Sequence, residues 1–221
     1  MNNYNQNEIY EKSAVAFIDI LGFKNALDDV SRARDILDAL SDIKKEIDWH
    51  YSSGFYKDFK GIENEIMAFS DSIVFSGLEH AAIIVSLNAL KFSQLLIRKG
   101  FLCRGAIACG NVYHKNGILF GNGLVKAYND EMTLAKYPRI ILDSNIVEML
   151  NESNNTSDDF AGLIKTDKDG SKFLNILYED DDKNLKAKLT DLVQNELQKI
   201  SKDNHSIKQK LIWLQSEYNL V

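Results

Sequence analysis

Apolar and polar positions fall into two regimes along this chain. Near-continuous apolar runs of strand length mark Ser13 to Phe23 (S-A-V-A-F-I-D-I-L-G-F), the stretch I-M-A-F-S-D-S-I-V-F-S-G from Ile66 to Gly77, and Phe101 to Tyr113. Runs without alternation read as strands covered on both faces. Between them the spacing turns helical. Lys24 to Asp29 predicts a short helix, and Ile36, Leu40, Ile43 and Ile47 place a longer one over Ser31 to Trp49, with Ser31 as its N-cap. Ile83, Ile84, Leu87, Leu90, Leu95 and Leu96 form a wide stripe from His80 to Arg98, stopping at Lys99-Gly100. Glu65 to Phe69 and Ser72 to Ser76 pair as a hairpin with Asp71 at its tip. Lys115-Asn116-Gly117 turns the third run back into Ile118 to Gly121, Asn-Gly being a strong hairpin signal.

A further helix begins at Asn122 or Gly123 and runs to about Lys136, and Pro138 to Leu142 is a strand. Tyr51 to Gly61, aromatic and glycine-punctuated, reads as a loop, as does the polar stretch Asn151 to Asp159. Phe160 to Thr166 and Lys172 to Leu177 are short strands around Asp167-Lys168-Asp169-Gly170. From Asp182 the chain is rich in Lys, Leu and Gln and predicts two helices split near Asn204-His205. Leu185, Leu189, Leu192, Leu197 and Ile200 supply one apolar side, and Ile207, Leu211, Leu214 and Tyr218 the other. The order implies an α+β, ferredoxin-like fold: a mostly antiparallel sheet with helices on one face. The expected division is a main domain over 13–178 and a C-terminal helical extension over 182–221, used for packing or dimerisation.

At 221 residues the chain has ample length for a core. Its net charge of −6 provides no basic field for a nucleic-acid partner. The N-terminus lacks the pattern of a secretory leader, and no segment reads as a membrane span of roughly 20 apolar residues. Those features suit a cytoplasmic protein. Cys103 and Cys109 lie on one predicted strand, about 20 Å apart at roughly 3.3 Å per residue, too far for a disulfide. The histidines at 50, 80, 114 and 205 show no zinc-ligand spacing.

Asp19 changes the picture. A carboxylate at the end of a buried strand must be paired, hydrogen-bonded or bound to a cation, and Gly22 beyond it lets a ligand approach the backbone. Asp71 occupies similar surroundings. A lone Asp after a strand ordinarily caps a turn; two that meet form a hard oxygen site for Mg²⁺ or Mn²⁺, with the Ile20 carbonyl as a further ligand. Such sites serve phosphoryl chemistry, in which two ions activate the attacking oxygen and neutralise leaving diphosphate. Amides over Ile20 to Phe23 are placed to cradle phosphate oxygens. Arg104, inside an apolar strand, needs either a structural ion pair or a triphosphate.

Phe17, Asp19, Ile20, Gly22 and Phe23 match F-x-D-I-x-G-F, the first strand of class III nucleotidyl cyclases, which this sequence resembles over about Val15 to Leu142. Ser70-Asp71 stands where that family has Gly-Asp on a hairpin tip. Arg104, Ala106, Ile107, Cys109 and Gly110 resemble its Arg-x-Gly-Ile-x-x-Gly strand. The family's transition-state Asn and Arg fall on Val125 and Asn129, and Lys126, one residue along, is the positive charge that helix offers. Met67 aligns with the adenine-selecting lysine, so adenine preference is not implied. The combination with F-G-x-x-L-V-K-A-Y-x-x-E-x-x-x-A-x-Y-P-R-I looks like the pyrimidine cyclases of bacterial Pycsar antiphage systems.

The resemblance implies conversion of UTP, less often CTP, to a 3′,5′-cyclic nucleotide that switches on a separate effector protein. It implies two Mn²⁺ or Mg²⁺ ions on Asp19, Ile20 and Asp71, and phosphates on Gly22, Phe23 and Arg104. Phe17, Met67 and Asn129 would line the substrate. It also implies a homodimer with sites at the interface, where Asp19 and Asp71 face Lys126 of the other chain. A nucleotide-binding sensor without turnover is the alternative, motivated by Val125 and Asn129; a scaffold protein is a third.

Overall fold

The computed structural model describes residues 9–52, 65–156, 160–179, 184–200 and 204–220. Strand β1 (Glu11–Ile20) leads into α1 (Phe23–Leu27) and α2 (Val30–Ser52). The hairpin β2 (Glu65–Phe69) and β3 (Ser72–Leu78) follows, then a 3-10 turn (Glu79–Ala81) and α3 (Ala82–Arg98). The second hairpin is β4 (Cys103–Lys115) and β5 (Ile118–Gly121), succeeded by α4 (Asn122–Leu134), β6 (Ile140–Leu142) and α5 (Ser144–Thr156). The chain closes with β7 (Ile164–Thr166), β8 (Lys172–Leu174), α6 (Leu185–Lys199) and α7 (His205–Tyr218).

The eight strands form one sheet in the order β2-β3-β1-β4-β6-β8-β7, with β5 paired to β4. Every pairing is antiparallel except β4 with β6. Ala14, Ala16, Ile18 and Ile20 point to one face, where Ile36, Ala39 and Ile43 of α2, Val85, Phe92 and Leu96 of α3, and Ile146 and Leu150 of α5 complete the main core. At about 25 cal/mol per Å² this buried apolar surface is the chief force holding the sheet.

The expectation of helices on one face holds for α1, α2, α3 and α5, while α4 lies across the other. Val15, Phe17, Val74, Ala108 and Val112 present a second apolar surface, and Ala127 and Leu124 of α4 cover it. Gly110 and Gly123 let helix and strand touch: a Cβ on Gly110 would stand 2.6 Å from the Gly123 Cα. Farther along the sheet, Ala106, Ile141 and Phe173 pack with Leu185, Leu189, Val193, Leu211 and Leu214 of the C-terminal helices.

Several local expectations are corrected. Asp29, not Ser31, caps the start of α2, its carboxylate accepting the Ser31 amide at 2.8 Å. Residues 151–156 continue α5 instead of forming a loop, because Asp143 caps its first turn and Ile146 and Leu150 anchor its inner face. Tyr51 and Ser52 are the last residues of α2, and the rest of the expected aromatic loop lies outside the described residues. Val193 replaces Leu192 on the inner side of α6, and Ile207 is exposed. Glu79–Arg98, 20 residues, is long and apolar enough by composition to span a bilayer, contrary to expectation; 78% of its apolar 18-residue window is buried inside the fold, as a core helix. Cys103 and Cys109 share β4 and are both free thiols.

Candidate active site

Asp19 is the last polar residue of β1, opposite Ser72 on β3 and Arg104 on β4, so one strand face carries all three. Asp71 sits in the β2–β3 turn, where Ser70 adopts a left-handed backbone with φ of 53°. The turn is tied to β1 by the Ile20 N–H, which donates to the Asp71 carbonyl at 2.8 Å. The backbone thereby places Asp19 and Asp71, 52 positions apart in sequence, at one corner of the sheet.

Arg104 crosses this corner through its Nε, 3.1 Å from an Asp19 carboxylate oxygen and 2.8 Å from Glu131 of α4. Among the described residues its terminal amino groups have no hydrogen-bond or ion-pair partner. Of the two roles open to Arg104 it fills the structural one through Nε and keeps donors for the other. Glu131 was not foreseen. It occupies the buried stripe Gly123, Ala127, Glu131 of α4, a signal the sequence carries as an acid at an apolar helical position. Burial pushes its carboxyl above the ordinary range, Arg104 opposes this, and Asp19 and Asp71 add to it.

After Ile20 the chain turns at Gly22, whose φ of 78° is left-handed. The Ile20 amide is spent on Asp71 and the Leu21 amide on Leu102, at 2.9 Å. Among the described residues this leaves the amides of Gly22 and Phe23 for a ligand. The Phe23 side chain packs against the main core, so only its backbone faces the turn.

Phe17 is packed, 5% exposed, with Tyr128 edge-on at 5.4 Å and Phe69 at 6.4 Å. Met67 is half-buried, on the same face as Val74 and Phe17. Val125 and Asn129 are exposed on the outer side of α4. Lys126 stands apart from the acidic corner, its ammonium on Asp143, whose carboxylate also accepts the Cys109 amide at 3.2 Å and the Asn145 amide at 2.5 Å. Burial opposes the charged form of Asp143, but those three donors hold its carboxyl below the usual range. Lys126 also lines a cavity of about 400 Å³ with Lys12, Glu79, Asn111, Asn122 and Asn145.

The donor set at the acidic corner is hard oxygen and fits Mg²⁺ or Mn²⁺ in the manner of ions that take one or two protein carboxylates and complete their shell with phosphates. Among the described residues no three His, Cys, Asp or Glu side chains converge to hold an ion unaided. Asp19, Asp71 and the Ile20 carbonyl are the groups that would contribute.

No family model matches the sequence, and no curated protein matches it. Solved structures do. A bacterial light-regulated adenylyl cyclase superposes with a TM-score of 0.50 at 11% identity, covering 84% of this chain and 98% of its own. The adenylyl cyclase CyaB from P. aeruginosa gives 0.50 at 13% identity over 75% and 93%. The fold is that of class III nucleotidyl cyclases. On that fold, the corner holding Asp19, Asp71 and Arg104 brings together five of the residues singled out from sequence, with Ile20 and Gly22, while Lys126 is paired with Asp143 and Asn129 is on the exposed side of α4.

Proposed function

We propose that this chain is a pyrimidine nucleotide cyclase, converting UTP or CTP to a 3′,5′-cyclic mononucleotide and diphosphate as a second messenger in antiphage defence. The observation that supports the reading is the backbone link that puts the ends of β1 and the β2–β3 turn, with Asp19 and Asp71, at one sheet corner beside Arg104, on a cyclase fold. Asp19, Asp71 and Ile20 would hold two Mn²⁺ or Mg²⁺ ions. Bound there, such ions lower the cost of generating an attacking 3′-oxygen and of separating diphosphate. Gly22, Phe23 and Arg104 bind phosphates and fix the α-phosphorus in line with the ribose hydroxyl. Support for a pyrimidine is the sequence resemblance, with Met67 where adenine selection would need a lysine.

The reading requires a homodimer. Lys126 is anchored through Asp143 near Cys109, five residues along β4 from Arg104, which is about 17 Å at roughly 3.3 Å per residue. It cannot reach Asp19 of its own chain. A two-fold arrangement brings it to the partner's acidic corner, and Val125, Tyr128 and Met132, each about half exposed, supply an apolar helix face for that contact.

The test is incubation of purified protein with Mn²⁺ and each of the four common nucleoside triphosphates, with products separated and weighed by mass spectrometry. Cyclic UMP or cyclic CMP is expected. Turnover of purines alone would overturn the base assignment. The exposed Val125 and Asn129, where the resembled family has its transition-state pair, favour one second reading, a sensor. Triphosphate binding without any cyclic product would establish it.

A further inference from the structure

Helix α4 carries Glu131 into the acidic corner on its packed side. Gly123, Ala127 and Glu131 recur at every fourth position, and all three are buried. At the first of them the helix touches β4, where a Cβ on Gly123 would stand 2.8 Å from the Val112 side chain. One turn on, Ala127 is fully buried in the cluster of Val15, Phe17, Val74 and Ala108, and Tyr128 meets Phe17 edge-on at 5.4 Å. These contacts fix the rotation of α4. Glu131, 3% exposed, is held where it stands.

The Arg104 Nε carries one hydrogen, which it donates to Asp19 at 3.1 Å. The Glu131 Oε1 lies closer to the same nitrogen, at 2.8 Å, yet receives no hydrogen bond from any described residue. A buried carboxylate oxygen without a donor is costly, and this one sits beside a donor that another carboxylate has taken. Asp19 is also one of the groups that would hold an ion. A carboxylate that gives its lone pairs to a divalent cation has fewer left for a guanidinium, and the cation repels that guanidinium. The Nε–H then needs another acceptor at the same reach. Glu131 supplies it without any shift of α4.

We infer that Glu131 is a positioning residue: it takes over the Arg104 Nε–H when Asp19 turns its carboxylate to an ion, and so keeps the guanidinium at the corner for the substrate's phosphates. This rests on the cyclase reading above. Arg104 has two acceptors on two elements because one of them has a second task.

The test is calorimetric titration of the full chain with the Mn²⁺ complexes of the α,β-methylene analogues of the four nucleoside triphosphates, which cannot release diphosphate. Glu131→Asp keeps the charge but is one methylene short of Arg104, and binding should weaken about 10-fold, as loss of one hydrogen bond to a charged group implies. Glu131→Gln gives up the charge but keeps an acceptor oxygen within reach, and should bind within about threefold of wild type. In an Arg104→Met background Glu131→Asp should change the affinity by less than about twofold, because Glu131 acts through Arg104. Unchanged binding in Glu131→Asp, a loss in Glu131→Gln as large as in Glu131→Asp, or an equal loss in the Arg104→Met background would each overturn this inference alone. Wild-type protein that bound no analogue at all would overturn the cyclase reading and this inference with it.

Discussion

The Ile20 N–H and the Asp71 carbonyl, 2.8 Å apart, join the end of β1 to the tip of the β2–β3 hairpin through backbone alone. The link is main chain, so replacing the Asp19 or the Asp71 side chain leaves it intact. Asp19→Asn and Asp71→Asn should each lower cyclic-product formation by at least about 100-fold, in the range seen when a preorganised charge is removed from a reacting centre. Their thermal midpoints should move by no more than about 4 °C, equivalent to roughly 1 kcal/mol for a chain of this size. Paired activity and calorimetry measurements check this; variants that unfold while wild type is inactive would make both residues structural.

Gly22 faces a different constraint. A Cβ there would meet nothing within 4 Å, yet its φ of 78° is left-handed. Gly22→Ala should therefore cost about 1–2 kcal/mol, all of it from backbone strain, and Gly22→Asn less. Urea midpoints of the two variants distinguish strain from crowding: crowding would make the larger Asn the worse substitution.

Most of the acidic corner was legible because its parts are local signals. Asp19 interrupts an apolar strand, and Ser70-Asp71 interrupts another where only a tight turn could follow. The two-sided cover of β1 was also legible, since Val15 and Phe17 are as apolar as Ala14 and Ala16, a pattern at odds with helices on a single face. The partners of those residues were hidden. The docking of α7 is one such case: Trp213 and Leu214 set it against residues far away in sequence. The polar end of α5 misled for a similar reason: Asp143 and the buried Ile146 and Leu150 start a helix that weakly helical residues then extend.

Glu131 gives the site a pH signature. Burial is the first cause of its raised carboxyl pKa, with Asp19 and Asp71 adding and Arg104 opposing. A carboxyl that holds its proton more tightly folded than unfolded contributes stability below its unfolded value, near 4.5, and loses it as pH rises through the folded value. Wild type should thus lose stability relative to Glu131→Gln as pH rises above about 4.5. Thermal melts of both proteins across that window check the sign; a difference constant with pH would mean that Glu131 titrates alike folded and unfolded.

The docking of α7 depends on Arg139, which is 1% exposed. Its guanidinium pairs with the buried Asp167 and, at 2.7 Å, with Asp169, and it lies within 6 Å of the Tyr137, Phe173 and Trp213 ring centres. The Arg139 hydrogen bond is the first cause holding the Asp169 carboxyl down at about 2. Arg139→Met keeps enough bulk for the aromatic surroundings but strands Asp167, leaving its carboxylate the Trp213 indole and the Lys168 amide. Breaking a buried pair from one side should cost about 3–5 kcal/mol. Arg139→Met with Asp167→Asn should recover much of that, because no buried carboxylate is left without its cation. In a Trp49→Phe background the fluorescence of Trp213 reports α7 directly, so the single variant should lose that signal at lower urea than wild type. A cost under about 1 kcal/mol would mean that the aromatic stack holds α7 in place without the buried ion pair.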